Sequence, residues 1–158
     1  MTENLFKEIC GNYATGVTVI TSYKNNINYG FTANSFTSVS ISPFLILFCL
    51  NKKANSNKAL EIGNYFVVNI LSSAQSNICN QFANNSLSPS QRFTEVKTNS
   101  THNNIKIISG SLGWLECKVK DIVEGGDHFI YIGEVETGEL SENRNPLIYH
   151  NSRIKTII

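Results

Sequence analysis

Thr15-Gly16-Val17-Thr18-Val19-Ile20-Thr21-Ser22-Tyr23, Lys24-Asn25-Asn26 and Asn28-Tyr29-Gly30-Phe31-Thr32-Ala33-Asn34 succeed one another in the N-terminal half of the chain, and their reading decides the fold. The first segment is rich in β-branched side chains, which suit a pleated surface. The second is a polar turn, and the third returns as an antiparallel neighbour of the first. The main body of the chain therefore opens as a β-hairpin.

Upstream of this hairpin, Leu5, Phe6, Ile9, Cys10 and Tyr13 recur at helical spacing behind a cap at Thr2 or Asn4, which predicts a short amphipathic helix ending near Gly11. Downstream, Phe44 to Leu50 is apolar on both faces and reads as a central strand started by Pro43. Ser56 to Ile62 is a short helix stopped at Gly63, Tyr65 to Leu71 a strand, and Ser73 to Phe82 a second helix. Asn84 to Asn104 is polar, repeats Asn and Ser, and reads as a mobile segment. From Trp114 onward Leu115, Cys117 and Val119 alternate with Glu116, Lys118 and Lys120. Gly125-Gly126 then turns the chain into a strand over His128 to Val135, and the last strand is Arg153 to Ile157. Strands joined by short turns, with helices between some of them, predict a mainly β, antiparallel barrel rather than a doubly wound sheet. No repeat and no linker divides the chain, so residues 1–158 read as one domain.

Its 158 residues suffice to bury a sizeable core without a disulfide or metal staple. Hydrophobic residues make up 41% and charged ones only 16%, with a formal net charge of +1 and scattered Lys and Arg, which argues against nucleic acid or an anionic membrane as a partner. Cys10, Cys49, Cys79 and Cys117 form no C-x-x-C pair and sit with no clustered histidines, so no metal site is expected. Cys49 and Cys117 lie in apolar strand patterns and read as small hydrophobes. No apolar run is long enough to span a bilayer, and the expectation is a soluble protein of the reducing cytoplasm.

Four stretches carry candidate chemistry. Thr32-Ala33-Asn34-Ser35-Phe36-Thr37-Ser38-Val39-Ser40 combines small hydroxyl and amide side chains that let a backbone approach a planar or phosphorylated ligand; a self-solvating loop is the other reading. Asn51-Lys52-Lys53-Ala54-Asn55-Ser56, after the apolar strand, offers cations and helix N-terminal amides for a phosphate, or else a solvated loop capped by Asn55 or Ser56. Gly125-Gly126-Asp127-His128 feeds an imidazole onto the start of a strand, as a ligand-facing group or a surface turn. Phe82 and Arg92-Phe93 bound the polar segment, where Arg92 is either a bidentate phosphate ligand or a solvated loop residue. There is no G-x-G-x-x-G, no P-loop, no H-E-x-x-H and no G-x-S-x-G, which excludes the common nucleotide, zinc-protease and serine-hydrolase motifs.

Ala14-Thr15-Gly16-Val17-Thr18-Val19-Ile20-Thr21, Gly30 to Ser40, Phe66-Val67-Val68-Asn69-Ile70-Leu71, Gly126-Asp127-His128 and Ile132-Gly133-Glu134-Val135 occur in the order and character of a known pattern. Over Phe6 to Tyr149 the chain resembles the flavin reductase family of the FMN-binding split barrel. Two local departures are Ala14 in place of a frequent proline and Pro43-Phe44 in place of two prolines; Asn84 to Asn104 has little of the family pattern.

The resemblance implies a homodimeric, six-stranded antiparallel Greek-key split barrel with flanking helices, which binds FMN or FAD and accepts hydride from NADH or NADPH. It implies flavin contacts at Thr32, Ala33, Asn34, Ser35, Thr37, Ser38, Val39 and Ser40. Asn51, Lys52 and Ser56 fall on the phosphate side, Phe82, Arg92 and Phe93 on the far wall, and His128 on the nicotinamide, as an orienting group. The expected activity is that of an NAD(P)H:flavin oxidoreductase supplying reduced flavin to a monooxygenase partner. The alternative is a flavin-binding electron carrier on the same barrel without nicotinamide turnover. Neither the residues nor the resemblance chooses FMN over FAD, NADH over NADPH, or a bound flavin over a diffusible one.

Overall fold

The computed structural model describes residues 1–141 and 145–156. Helix α1 (Glu3–Gly11) leads into β1 (Thr15–Gly16), β2 (Thr18–Lys24), β3 (Ile27–Ala33), β4 (Thr37–Ile41), β5 (Phe44–Asn51) and β6 (Tyr65–Ile70). After α2 (Ser76–Ala83) come β7 (Thr98–Ser100), β8 (Lys106–Ile108), β9 (Gly113–Gly125), β10 (His128–Leu140), β11 (Leu147–His150) and β12 (Arg153–Thr156). Most of the expected elements are present. Thr2, not Asn4, caps α1, its Oγ1 accepting from the Leu5 amide at 3.3 Å. Asn25 and Asn26 both take positive φ, 52° and 62°, the two-residue turn that matches the twist of a hairpin. The expected helix over Ser56 to Ile62 is present as a shorter 3₁₀-helix at Asn55–Ala59, and the second helix begins with a 3₁₀ turn at Ser73–Gln75. The expected last strand ends at Thr156; Ile157 lies outside the described residues.

The main sheet has seven strands, in the order β3-β2-β6-β9-β10-β5-β4, all antiparallel. This corrects the expected six-stranded barrel. The added strand is β4, built from Thr37–Ile41, which the sequence presents as a polar run rather than as a strand. Nor is the barrel closed by pairing, since among the described residues no ladder joins β3 to β4. Yet only Asn34, Ser35 and Phe36 separate the two edge strands. A connection that short spans roughly 14 Å at most, so the sheet must curl until its edges nearly meet. Ser35 fixes the approach: its hydroxyl accepts from the Cys49 amide at 2.9 Å and donates to the Cys49 carbonyl at 3.3 Å.

Inside the curl, Ile20, Phe31, Ile46, Phe48, Phe66, Val68, Val119 and Tyr131 pack as one core. The Phe48 ring lies 5.1 Å from Tyr131, 5.3 Å from Phe66 and 5.8 Å from Phe31, centroid to centroid. Strand β5 is not central, as its apolar run suggests, but second from the edge; its inward residues are buried while Leu45 and Leu47 face outward, half-buried. Cys117 behaves as the expected hydrophobe, burial pushing its thiol up to about 12, with Glu116 and Glu136 adding to the effect.

The outer face is covered in part by the segment read as mobile. Buried Asn69 donates to the Val19 carbonyl (3.0 Å) and to Thr21 Oγ1 (3.2 Å) and accepts from the Ile108 amide (2.8 Å). Thr21 in turn donates to the Lys106 carbonyl at 2.6 Å. These bonds fasten the β7–β8 hairpin to the sheet, and fully paired buried polar groups of this kind resist local opening.

Candidate functional site

A cavity of 520 Å³ opens where the curled sheet fails to close. Its one side is the unpaired edge of β3, its other the C-terminal end of β5 and the loop 51–56; the C-terminus of α2, residues 85–92 and His128 complete it. The volume falls within the range of small-molecule sites. Among the described residues strand β3 pairs only with β2, and the Gly30 carbonyl accepts from Arg92 Nη1 at 2.6 Å, so the backbone groups of Gly30 point away from β2. Alternation of antiparallel pairing sends those of Thr32 the same way, toward the cavity.

Nine of the fifteen residues expected from the sequence line this space: Thr32, Ala33, Asn34, Ser35, Asn51, Ser56, Phe82, Arg92 and His128. Thr37, Ser38, Val39 and Ser40 do not. They form β4, which runs antiparallel to β5 with Thr37 opposite Leu47 and Ser38 opposite Ile46, so each step carries them further from the cavity at Asn51. Lys52 is turned away, its Nζ 2.9 Å from Glu124 and 5.3 Å above the Phe129 ring; Lys53 faces the cavity in its place. Phe93 stands behind the wall, edge-on to Phe82 at 5.0 Å.

Several participants carried no local signal. Cys49, Leu87 and Pro89 reach the cavity only because separate elements converge there. Asn57 does not touch it but shapes it: its amide nitrogen donates to the carbonyls of Asn51 and Lys52 at 2.9 and 3.0 Å, and its oxygen accepts from the Tyr131 hydroxyl at 2.8 Å. The loop 51–56 is thereby held from the core.

The lining is one-sided in charge. Lys53, Arg92 and His128 line the cavity, and among the described lining residues there is no Asp or Glu. A low-dielectric cleft with cations and no carboxylates favours an anion. His128, opposite Asn51 at the start of β10, places Nδ1 2.8 Å from the Asp127 carboxylate. That hydrogen bond, and secondly the charge of the ring, holds the Asp127 carboxyl below its usual range. Because the Asp127 carboxylate accepts, Nδ1 carries a proton, and in the neutral form of the ring Nε2 is left as an acceptor.

A model of the flavin reductase like domain matches residues 10–157. The chain belongs to the flavin reductase family. Among its relatives, the reductase subunit HsaB of a flavin-dependent monooxygenase from Mycobacterium tuberculosis is 34% identical over 149 residues, covering 92% of this chain and 77% of that protein. An NADH-dependent FAD reductase from Streptomyces globisporus is 34% identical over 151 residues, 94% of this chain and 82% of that one. The solved structure of the Streptomyces globisporus C-1027 NADH:FAD oxidoreductase SgcE6, in complex with NAD and FAD fragments, superposes with a TM-score of 0.91 at 32% identity, covering 99% of this chain and 93% of that chain.

The cavity of this family member fits the group the family name implies. A strand edge offering the backbone of Thr32 suits the polar rim of a flat ring, Phe82 offers an apolar wall, and Lys53 offers charge for a phosphate.

Proposed function

We propose that this chain is an NAD(P)H:flavin oxidoreductase that transfers hydride from NADH or NADPH to FMN or FAD, as the reductase component of a two-component monooxygenase system. The cavity at the split of the sheet, with Lys53 and His128 on its lining and no carboxylate among the described residues there, carries this reading. The flavin, when bound, supplies the two-electron redox chemistry. The residues supply position. Thr32, Ala33, Asn34 and Ser35 hold the ring edge, and the backbone N–H of Thr32 lowers the energy of negative charge arising there. Asn51, Lys53 and Ser56 hold the phosphate side, on a loop kept in place by Asn57. Phe82 forms the apolar wall and excludes water.

His128 orients the nicotinamide, Nε2 accepting a hydrogen bond, and moves no proton. In His128→Ala the KM for reduced nicotinamide rises by about tenfold or more while the flavin Kd changes by less than about threefold. Steady-state kinetics with flavin titration measures both, and equal losses would refute this division of labour. The function itself is tested by NADH and NADPH oxidation with excess FMN or FAD. Turnover is the expected result; tight flavin binding without turnover would identify an electron carrier instead.

We further propose that residues 1–158 work as one domain in a cytoplasmic homodimer. Four free cysteines suit a reducing compartment, and among the described residues no helix is long and apolar enough to cross a membrane. Helix α1 buries none of its side chains, leaving Leu5, Phe6 and Ile9 exposed, and Val39, Ile41 and Phe44 are exposed on the β4–β5 hairpin. Such apolar area beside an unpaired sheet edge suits a second copy. Size-exclusion chromatography at micromolar concentration is expected to show a dimer, and a monomer would contradict the proposal.

A further inference from the structure

We infer that Arg92 is a positioning residue, a latch that fixes residues 84–93 as one wall of the cavity, and that it therefore supports binding of every flavin alike rather than recognising the phosphate. The inference rests on the flavin reading for its ligand but not for its mechanics. Arg92 Nη1 donates to the Gly30 carbonyl on β3 at 2.6 Å; Nη2 donates to the Asn84 carbonyl at 3.1 Å and to Asn85 Oδ1 at 3.3 Å. One guanidinium thus ties together the sheet edge, the end of α2 and the chain that leaves it. A phosphate-binding arginine presents paired donors to the ligand. Here both terminal nitrogens are already engaged by neutral oxygens of the protein.

The surroundings agree. Asn84 caps the C-terminus of α2, where carbonyls lack partners and a cation is favoured. The Arg92 carbonyl accepts from Gln81 Nε2 at 3.0 Å, and the same amide nitrogen donates to the Thr94 carbonyl at 2.9 Å, so the turn is held from both ends. Within it, the Ser88 amide donates to Gln91 Oε1 at 2.9 Å. Among the described residues no ion pair involves Arg92. Partial burial lowers its proton affinity from the ordinary value, as expected of a cation held among neutral acceptors. Asn85, Leu87 and Pro89 line the cavity, and among the described residues the Arg92–Gly30 bond is the one hydrogen bond from residues 84–93 to the main sheet, beside the packing of Phe93 against the Phe82 cluster. Releasing Arg92 therefore frees the wall rather than one contact.

The test compares wild type with Arg92→Lys, which keeps the charge but loses the fork, and Arg92→Met, which keeps only the stem. Amide hydrogen exchange on the flavin-free proteins is expected to quicken by about tenfold across residues 84–93 in both variants. Fluorescence-quenching titrations are expected to weaken riboflavin and FMN binding by the same factor, on the order of tenfold. Riboflavin lacks the phosphate, so a loss confined to FMN, or rescue by Arg92→Lys, would overturn the latch in favour of a phosphate ligand. Unchanged exchange across 84–93 would overturn it as well. If wild type binds neither flavin, the proposed function falls, and the exchange measurement alone still decides whether Arg92 holds the segment.

Discussion

Gly30→Ala is expected to destabilise the protein by about 1–3 kcal/mol and to weaken flavin binding by about tenfold or more. A Cβ at position 30 would lie 2.5 Å from Cε1 and 2.8 Å from Cδ1 of Phe82, and 3.2 Å from Cζ of Phe93. Phe82 is fully buried, in a cluster with Val17, Val19, Leu71 and Cys79, and its ring meets Phe93 edge-on. The ring must press toward the cavity or push Phe93 outward, and the second movement displaces Arg92, whose partner is the Gly30 carbonyl itself. Urea unfolding and flavin titration measure the two effects. In Gly30→Ala/Phe82→Leu the smaller, more adaptable side chain is expected to recover part of the stability. A double-mutant cycle with no coupling between the two sites would show that the glycine is not there to admit the ring.

The second large effect lies in the core. Phe48→Ala is expected to cost about 3–5 kcal/mol, the range for deleting a buried aromatic that leaves a cavity. Phe48 has no exposed surface and contacts rings from three other strands, Phe31 on β3, Phe66 on β6 and Tyr131 on β10. Those contacts span the curl of the sheet, so the loss reaches the site as well as the core. Tyr131, stacked on Phe48, holds Asn57, and Asn57 holds the carbonyls of Asn51 and Lys52. Chemical denaturation is expected to show a lowered midpoint. A loss below about 1 kcal/mol would mean that the neighbouring rings collapse into the space and that this stack does not hold the curl.

The hairpin of β2 and β3 was legible because its causes are local: β-branched residues on either side of two asparagines that take positive φ. The same holds for Gly125 and Gly126, which end β9 and admit His128 to β10, with φ of 64° at Gly126. Thr37 to Ser40 misled because a strand at a sheet edge, solvated on both faces, carries no apolar alternation to betray it. Asn84 to Asn104 misled for a related reason. Its polar side chains look like those of a solvated loop, but Arg92, Gln91 and the β7–β8 pairing use their donors and acceptors within the protein.

Residue order along the chain by itself determined the local conformations, the β character of the fold and the chemical type of the cradle: small hydroxyls and amides, two lysines after an apolar strand, and an imidazole on a glycine turn. Only the tertiary structure decided that the sheet has seven strands and stays open, that Lys53 rather than Lys52 faces the gap, and that Arg92 grips Gly30, 62 residues away. The physical reason is one of range. Torsional preference and turn chemistry are set by adjacent residues, whereas the meeting of β3 with the end of β5 depends on how the whole sheet twists around Phe48 and its neighbouring rings.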